Sequence, residues 1–524
     1  MSRVLFTHPR IWTGLATGVT DALLVEDERV LATGDEARAA TGTRRRVDLP
    51  GALVMPGLHD AHIHTAWTAR DLASVDLSAA STLDEALGLL REHAASLPPG
   101  RSIGSGRWNS NRWTPAVQPD RHSLDTACPD RIVALDSADG HTVWANSLAL
   151  HAAGITRDTP DPVGGQVVRD ASGEPTGILR ETAQHLLDAL PEDEQPLRPL
   201  LERCEELLLS VGLTSITDID GEDAHAAYAA MHADGALRLR VTTCIRDGDL
   251  EPAIAEGRRA GSGDGRLRVG PVKFFSDGAL GSHTAYLTGP YLSDPTGPEG
   301  CGIAAMPYPL FLHRVRMAVE AGLDIATHAI GDAANRLVLD AYGVIREEGH
   351  TGILRIEHAQ HVLPVDIPRF RALGVIASMQ PAHCTADIDL VEKMIGPRRV
   401  ATHAWRTMLG AGVRLALGSD APVEEPNPFH ALHAAVTRQR ADDTPLGGWH
   451  PEERITLDEA VHAHTVGAHE AAGRTDVGRL TPGQLADFVS LDRDPWSLEL
   501  SDPRAIRDTR VLATWVGGEL AHEA

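Results

Sequence analysis

The sequence predicts an α/β protein: a parallel (β/α)8 TIM barrel with a large insertion after its first strand, plus a small β-sandwich built from both termini. Eight runs rich in β-branched and apolar residues, with helical stretches between several of them, fill the middle of the chain. Alternation of this kind is typical of parallel βαβ units, and eight such strands close a barrel. Both ends of the chain contain only short strand-like runs separated by turns.

The two terminal segments have similar residue patterns. Strand-like runs occur at residues 4–6, 22–25 and 29–32, and again at 486–491 and 511–516. Two β-rich ends that flank a long middle suggest that they build one domain together. We therefore predict a composite sandwich of residues 1–52 and 474–524.

The predicted barrel covers residues 53–473. Its candidate strands are residues 52–59, 214–219, 238–245, 269–275, 324–329, 354–359, 374–380 and 413–419, and clear helical stretches cover 197–211 and 332–348. The gap between the first two strands is much longer than an ordinary crossover. We therefore place a Gly-, Pro- and Trp-rich inserted subdomain at roughly residues 100–190.

Composition narrows the class of protein. Of the 524 residues, 42% are hydrophobic and 23% are charged, as in globular proteins, and no apolar run approaches the roughly 20 residues that span a bilayer. The net charge of −25 argues against a nucleic-acid partner. Five scattered cysteines without a CxxC pair, and a start without a secretion signal, favour a cytoplasmic protein. We expect no membrane partner, a small-molecule substrate and a homodimer.

His62 and His64 form an HxH motif at the end of the first predicted strand. Side chains alternate along a strand, so both imidazoles point the same way and suit one cation. With 26 histidines in the chain, one such motif is expected by chance. A second one, His462 and His464, lies in a helical context, where residues two apart diverge, and we interpret it as structural.

Later predicted strands each present a chemically active side chain at the end where barrel enzymes place their catalytic groups: Lys273, His328, His358 and Asp420. Singly, a histidine at a strand end is more often a hydrogen-bonded structural residue, and a lysine is more often an ion-pair partner. The ordered combination with the HxH motif favours a metal centre. The sequence has no GxSxG nucleophile elbow and no glycine-rich phosphate-binding loop, so these motifs do not indicate a serine nucleophile or a phosphate site.

These motifs resemble the amidohydrolase superfamily, and within it the YtcJ-like branch, amidohydrolase family 3, which includes N-substituted formamide deformylases. The likeness covers nearly the whole chain. The matching stretches are residues 55–64, 139–147, 272–282, 327–332, 355–359, 378–381, 418–422, 478–480 and 486–487.

The resemblance implies a metal centre built from six side chains: His62, His64, Lys273, His328, His358 and Asp420. The HxH pair and Asp420 would hold the first ion, and His328 with His358 a second. Lys273 would become a bridging ligand once carboxylated, whereas with an unmodified lysine the site would hold only one ion. Imidazole and carboxylate ligands suit zinc, but also iron, manganese or nickel.

The implied chemistry is hydrolysis of a non-peptide C–N bond in a linear amide or N-substituted formamide. A bound metal lowers the pKa of water, and Asp420 would move a proton from that water to the leaving nitrogen. A cyclic amide hydrolase or deaminase of the same superfamily is an alternative. A non-catalytic regulatory barrel that retains the ligands is an alternative from another class.

Substrate contacts are expected from the insertion and from the end of the seventh strand. His141 could reach a polar group of the substrate, and Trp108 and Trp144 could line an apolar pocket. A backbone-bonded loop histidine and tryptophans that pack the core of the insertion are equally compatible with the sequence. Gln380 and His383 face the same barrel mouth and are further candidates.

Overall fold

The computed structural model describes residues 3–104, 106–110, 113–115, 117–137, 142–162, 165–188, 190, 196–281, 283–292 and 300–524. The chain divides into two compact units. One is Met1–Trp67 with Leu201–Ala524, and the other is Thr68–Leu200. The first unit contains the barrel and a sheet from both termini, and the second contains the insertion.

Strands from both ends of the chain share one sheet. Its N-terminal strands are β1 (Arg3–Gly14), β2 (Gly18–Glu26), β3 (Arg29–Thr33), β4 (Thr43–Asp48) and β5 (Leu53–Pro56), with α1 (Gly34–Ala39) before β4. Its C-terminal strands are β21 (Phe488–Leu491), β22 (Val511–Val516) and β23 (Glu519–Glu523). The order is β23-β22-β21-β5-β1-β2-β3, and β4 pairs with β1. Phe488 contacts Phe6 and stacks on Trp515, so both termini share one apolar core.

Eight parallel strands, most of their residues buried, form the barrel. They are β6 (Leu58–Ile63), β12 (Leu213–Asp218), β13 (Arg240–Arg246), β14 (Leu267–Phe275), β15 (Ile325–Ala329), β16 (Leu354–His358), β18 (Ile376–Met379) and β20 (Arg414–Leu417). The ring closes after β20, where the Asp420 N–H donates to the His62 carbonyl at 2.7 Å and the His64 N–H donates to Ala421 at 2.9 Å. The predicted barrel is confirmed.

Helices surround the barrel strands. Outside the insertion they are α2 (Thr65–Leu72), α6 (Leu197–Ser210), α7 (Glu222–Ala233), α8 (Leu250–Ala255), α9 (Tyr308–Glu320), α10 (Asp332–Glu347), α11 (Ile367–Leu373), α12 (Pro381–Ala386), α13 (Ile388–Met394), α14 (Trp405–Gly410), α15 (Pro428–Thr437), α16 (Leu457–His462), α17 (Ala468–Ala471) and α18 (Pro495–Ser501). A short pair, β17 (His361–Val362) and β19 (Ala401–Thr402), lies between them. In α10, buried Val338, Tyr342 and Ile345 recur every three or four residues and form one apolar face. None of the described helices combines the length and apolarity that a membrane crossing requires.

The insertion has its own sheet and core. Strands β7 (Ile103–Gly104), β8 (Val133–Asp136), β9 (Thr142–Ala145), β10 (Gly165–Arg169) and β11 (Pro175–Glu181) lie in the order β10-β11-β9-β8-β7. Helices α3 (Leu83–Ser96), α4 (Arg121–Ala127) and α5 (Ser147–Ala152) accompany them. Trp108, Trp113 and Trp144 contact one another, with ring centroids 5.9–6.2 Å apart, in the core of this unit.

The prediction of residues 52–59 as a single strand was wrong. The chain changes sheets at Gly57: β5 pairs with β21 in the terminal sheet, and β6 begins the barrel one residue later. A Cβ atom at Gly57 would lie 2.3 Å from Thr214 Cγ2, so only glycine fits where the chain passes between the sheets. An apolar run does not reveal this change, because both halves are equally buried.

A buried ion pair joins the terminal sheet to the barrel. Arg240 of β13 donates from Nε to Asp487 Oδ2 at 2.7 Å and from Nη2 to Asp487 Oδ1 at 2.9 Å. Both side chains are buried, and Asp487 also accepts the Gly517 N–H. Removing one partner of a buried pair leaves the other charge without compensation in a medium that solvates it poorly.

We therefore expect Asp487→Asn to lower the free energy of unfolding by about 3 kcal/mol, because Arg240 stays charged and buried and keeps only the more exposed Glu28, at 3.0 Å, as a carboxylate partner among the described residues. Urea denaturation followed by circular dichroism measures this loss. Glu256→Gln is the control, since it removes the exposed carboxylate beside Arg258 and should cost less than about 0.5 kcal/mol. Equal shifts in the two variants would contradict the role assigned to the buried pair.

Candidate functional site

All six residues of the predicted metal centre line one cavity of ≈ 440 Å³. Each lies at the C-terminal end of a barrel strand or directly after it: His62, His64, Lys273, His328, His358 and Asp420. Side chains that are far apart in the sequence therefore meet where barrel enzymes carry their chemistry.

His62 is oriented by a buried carboxylate. Its Nδ1–H donates to Glu357 Oε2 at 2.7 Å, and both side chains are fully buried. Burial alone would raise the pKa of Glu357, but the Arg355 guanidinium and His62 hold that pKa well below its usual range. The bond fixes the proton on Nδ1 and leaves the Nε2 lone pair directed away from Glu357. His62 Nε2 is buried and makes no hydrogen bond with any described residue.

His64 and Asp420 complete a set of three donors. His64 Nδ1 lies 3.1 Å from Asp220 Oδ1, which orients this ring as Glu357 orients His62. Asp420 Oδ1 lies 3.3 Å from His62 Nε2 and 3.5 Å from His64 Nε2. Ligand atoms of His62, His64 and Asp420 all lie within 4.8 Å of one another. Three such donors, all directed toward one point of the cavity, fit a divalent metal ion.

A second set of donors shares Asp420. Ligand atoms of His358, His383 and Asp420 also lie within 4.8 Å of one another. The Nδ1–H of His358 donates to Gln380 Oε1 at 2.9 Å, and the His358 ring stacks on that of His383, with centroids 5.8 Å apart. Burial and the neighbouring His328 lower the pKa of His358 well below its usual value. This histidine is therefore neutral, as a metal ligand must be.

His383 differs from the other histidines in its hydrogen bonding. The Gln360 amide nitrogen lies 3.4 Å from His383 Nδ1, so the amide donates and the ring proton lies on Nε2. That Nε2 lies 3.6 Å from Asp420 Oδ2. His383 therefore presents an N–H to the carboxylate, where a metal ligand would present a lone pair.

Lys273 and His328 lie in the cavity but outside both donor sets. Lys273 is buried, with Nζ 4.5 Å from the centroid of the Phe275 ring, and burial lowers its pKa. Burial thus favours the neutral amine, the form that reacts with CO2. His328 Nε2 donates to the Gly278 carbonyl at 3.1 Å, so this nitrogen is directed away from the donors.

Asp277 organises the loops at the barrel mouth. Its carboxylate accepts N–H groups from Tyr286, Ile330 and Gly331 at 2.8–3.0 Å, so it does more than cap the local turn. Burial raises its pKa to about 7, although these three hydrogen bonds oppose the shift. The loop that follows β14 is thereby tied to the loop that follows β15.

The structure does not support three of the substrate contacts expected from the sequence. Trp108 and Trp144 are 3% and 0% exposed in the core of the insertion, and their indole N–H groups donate to the carbonyls of Leu135 and Asp120. Gln380 is buried against His358 and orients that ring. His141 lies outside the described residues.

The second HxH motif lies in a helical context, as predicted. His462 ends α16, and His464 lies in the π-helical turn Ala463–Gly467. Sequence reasoning missed Glu357 and Asp220, which orient the first HxH pair. Both acids lie at or just after strand ends, and Glu357 directly precedes His358, which is the one signal that could have indicated them.

Comparisons with known proteins agree with this geometry. The profile of the amidohydrolase family matches residues 45–522. The chain is 30% identical to YtcJ of Bacillus subtilis, over 98% of each protein, and 31% identical to an N-substituted formamide deformylase of Arthrobacter pascens, over 96% of this chain and 95% of that protein.

The fold is also found in a solved structure. The crystal structure of an uncharacterized metal-dependent hydrolase from Pyrococcus horikoshii OT3 superposes with a TM-score of 0.79 at 26% identity, covering 96% of this chain and 99% of that one. The resemblance seen in the strand-end motifs is confirmed. The chain belongs to the amidohydrolase family.

Proposed function

We propose that this protein is a zinc-dependent hydrolase that cleaves the C–N bond of a linear amide or N-substituted formamide. The observation that carries the proposal is the convergence of His62, His64 and Asp420, with both imidazoles oriented by carboxylates behind them. A relative named as an N-substituted formamide deformylase supports the choice of substrate class.

His62, His64 and Asp420 would hold the zinc ion. Three protein ligands with an open fourth position are the usual arrangement of catalytic zinc. A bound zinc ion supplies a Lewis acid that lowers the pKa of water from 15.7 to about 7. A second ion would be held by His358 and by Lys273 as a carbamate. His328 would join them only by leaving the Gly278 carbonyl.

Asp420 would act as the base and then as the acid. Its Oδ1 lies toward the two ligand histidines, whereas Oδ2 lies toward His383. One carboxylate can therefore accept the proton of the attacking water and donate it to the leaving nitrogen, which departs as an amine. The Nε2–H of His383 would donate to the carbonyl oxygen of the substrate as negative charge develops there.

We expect His62→Ala and Asp420→Asn each to lower kcat/KM by at least about 10^3, the scale of losing a metal ligand or an acid–base group. Steady-state kinetics on a panel of N-formyl and N-acyl amines measures the loss. His462→Ala makes the same substitution in the second HxH motif and should keep activity near that of the wild type. Near wild-type activity in Asp420→Asn would refute the assignment, and a metal-loaded protein inactive on the whole panel would favour a regulatory barrel.

Asp220→Asn tests the orientation of His64. The amide cannot accept the Nδ1–H as strongly, so we expect metal affinity to fall by 10- to 100-fold while the fold is retained. Competition with a chromogenic chelator measures the affinity, and Asp508→Asn, a substitution of an exposed aspartate, is the control. Unchanged affinity in Asp220→Asn would place the metal elsewhere.

Removal of metal should abolish hydrolysis. We expect prolonged dialysis against a chelator to eliminate turnover and added zinc to restore it, because the donors cannot activate water alone. Elemental analysis of the purified protein identifies the native metal and counts the ions. Full activity at less than one-tenth of an equivalent of metal, about the background of such an analysis, would contradict the mechanism.

A further inference from the structure

The active-site cavity is lined in part by hydrogen-bond acceptors that the proposed mechanism does not use. These residues, here called the polar wall, are Gln360, Asp387 and Glu424. Gln360 is 3% exposed, and its Oε1 is buried and accepts no hydrogen bond from the part of the chain that the structure describes. An acceptor left unsatisfied in this position costs free energy unless a ligand or water donates to it.

Glu424 is the second acceptor of the polar wall. It is partly buried and makes no hydrogen bond or salt bridge with any other described residue. Burial raises its pKa, and the negative charges of Asp387 and Asp420 raise it further, while His383 opposes them. Asp387 pairs with His403, whose Nε2 lies 3.8 Å from Oδ2. Burial would raise the pKa of Asp387, but His403, His383 and His361 lower it. Two carboxylates thus belong to the polar wall, and no arginine is among the described residues that line the cavity.

Among the described residues that line the cavity there is no arginine and one lysine, Lys273, which belongs to the metal site. A substrate with a carboxylate would find no arginine there to bind it and would be repelled by Asp387 and Glu424. The charge of the cavity therefore argues against N-acyl amino acids and other anionic amides.

Apolar side chains also line the cavity. The larger ones, here called the apolar wall, include Trp67, Phe275, Leu280, Leu390 and Val423. Trp67, Phe275 and Val423 are about half exposed although they are large and apolar, which is typical of a surface that a ligand covers. The faces of aromatic rings also attract cations. A substrate with an apolar body and one positively charged end could therefore contact both the apolar wall and the polar wall.

We propose that the natural substrate carries, apart from the scissile amide, a protonated nitrogen that binds to Glu424, Asp387 and the Gln360 carbonyl. This inference rests on the proposed function, because it specifies which N-substituted amides the site accepts. The substrate class is thus an amide or formamide whose apolar substituent bears an amine.

Three formamides with the same six-membered-ring skeleton test the proposal. N-(cyclohexylmethyl)formamide is neutral, N-(piperidin-4-ylmethyl)formamide replaces one ring CH2 by NH2⁺, and 4-(formamidomethyl)cyclohexanecarboxylate is anionic. Calorimetry on the zinc-loaded wild-type protein gives the affinities, and kinetics gives kcat/KM. We expect the cationic amide to be favoured over the neutral one by about tenfold or more, the scale of a charge-assisted hydrogen bond, and the anionic one to bind weakest.

Glu424→Gln should reduce the cationic preference to about threefold or less, since Asp387 alone would remain. Glu425→Gln is the matched control. It removes the same charge from the next residue, which is exposed, pairs with His430 at 3.0 Å and lies outside this cavity. This control should keep the full preference, and melting temperatures establish that both variants fold.

The outcomes separate the two proposals. Equal affinity for the cationic and neutral amides in the wild type, or an unchanged preference in Glu424→Gln, would overturn the inference even if all three amides are hydrolysed. A cationic preference that depends on Glu424, with no turnover of any amide, would support the inference and overturn the proposed function.

Discussion

The buried carboxylate of Glu357 is the constraint on which both the barrel and the site depend. It accepts hydrogen bonds from His62 and from Arg355, and all three side chains are removed from water. Arg355 donates further to the carbonyl of Ala61 and to Ser378 Oγ. Charges this deeply buried are stable only when fully paired. The same interaction therefore fixes three barrel strands to one another and fixes which nitrogen His62 presents to the cavity.

The position of the reacting carboxylate also follows from the architecture. Asp420 lies where the chain completes the barrel, and its N–H bonds to the carbonyl of His62. Both Asp420 and His358 have positive φ, 62° and 72°, a conformation that is uncommon for non-glycine residues, although Asp and His adopt it more readily than most. The backbone hydrogen bond at the closure of the barrel thus fixes the backbone of Asp420, whose side chain lines the cavity.

The fold could be predicted because each buried strand is a short apolar run, and the ligand set because strand ends place side chains together. Each prediction that failed did so for a physical reason. Gly57 separates two strands that are equally apolar, so hydropathy cannot divide them. A tryptophan such as Trp108 fills a core and lines a pocket with the same chemistry. The residues that hydrogen-bond to the ligands, such as Glu357 to His62, depend on which strands become neighbours. The spacing of residues in a single sequence does not reveal which strands these are.

The pairing of β5 with β21 has a consequence for synthesis. β5 ends at Pro56, whereas its partner begins at Phe488 of a 524-residue chain. A ribosome releases the strands that precede Gly57 long before it makes residues 488–491, so the edge of β5 stays open while the whole barrel is translated. Unpaired edges invite association with other chains. Nascent copies of this protein should therefore depend on chaperones until β21 emerges.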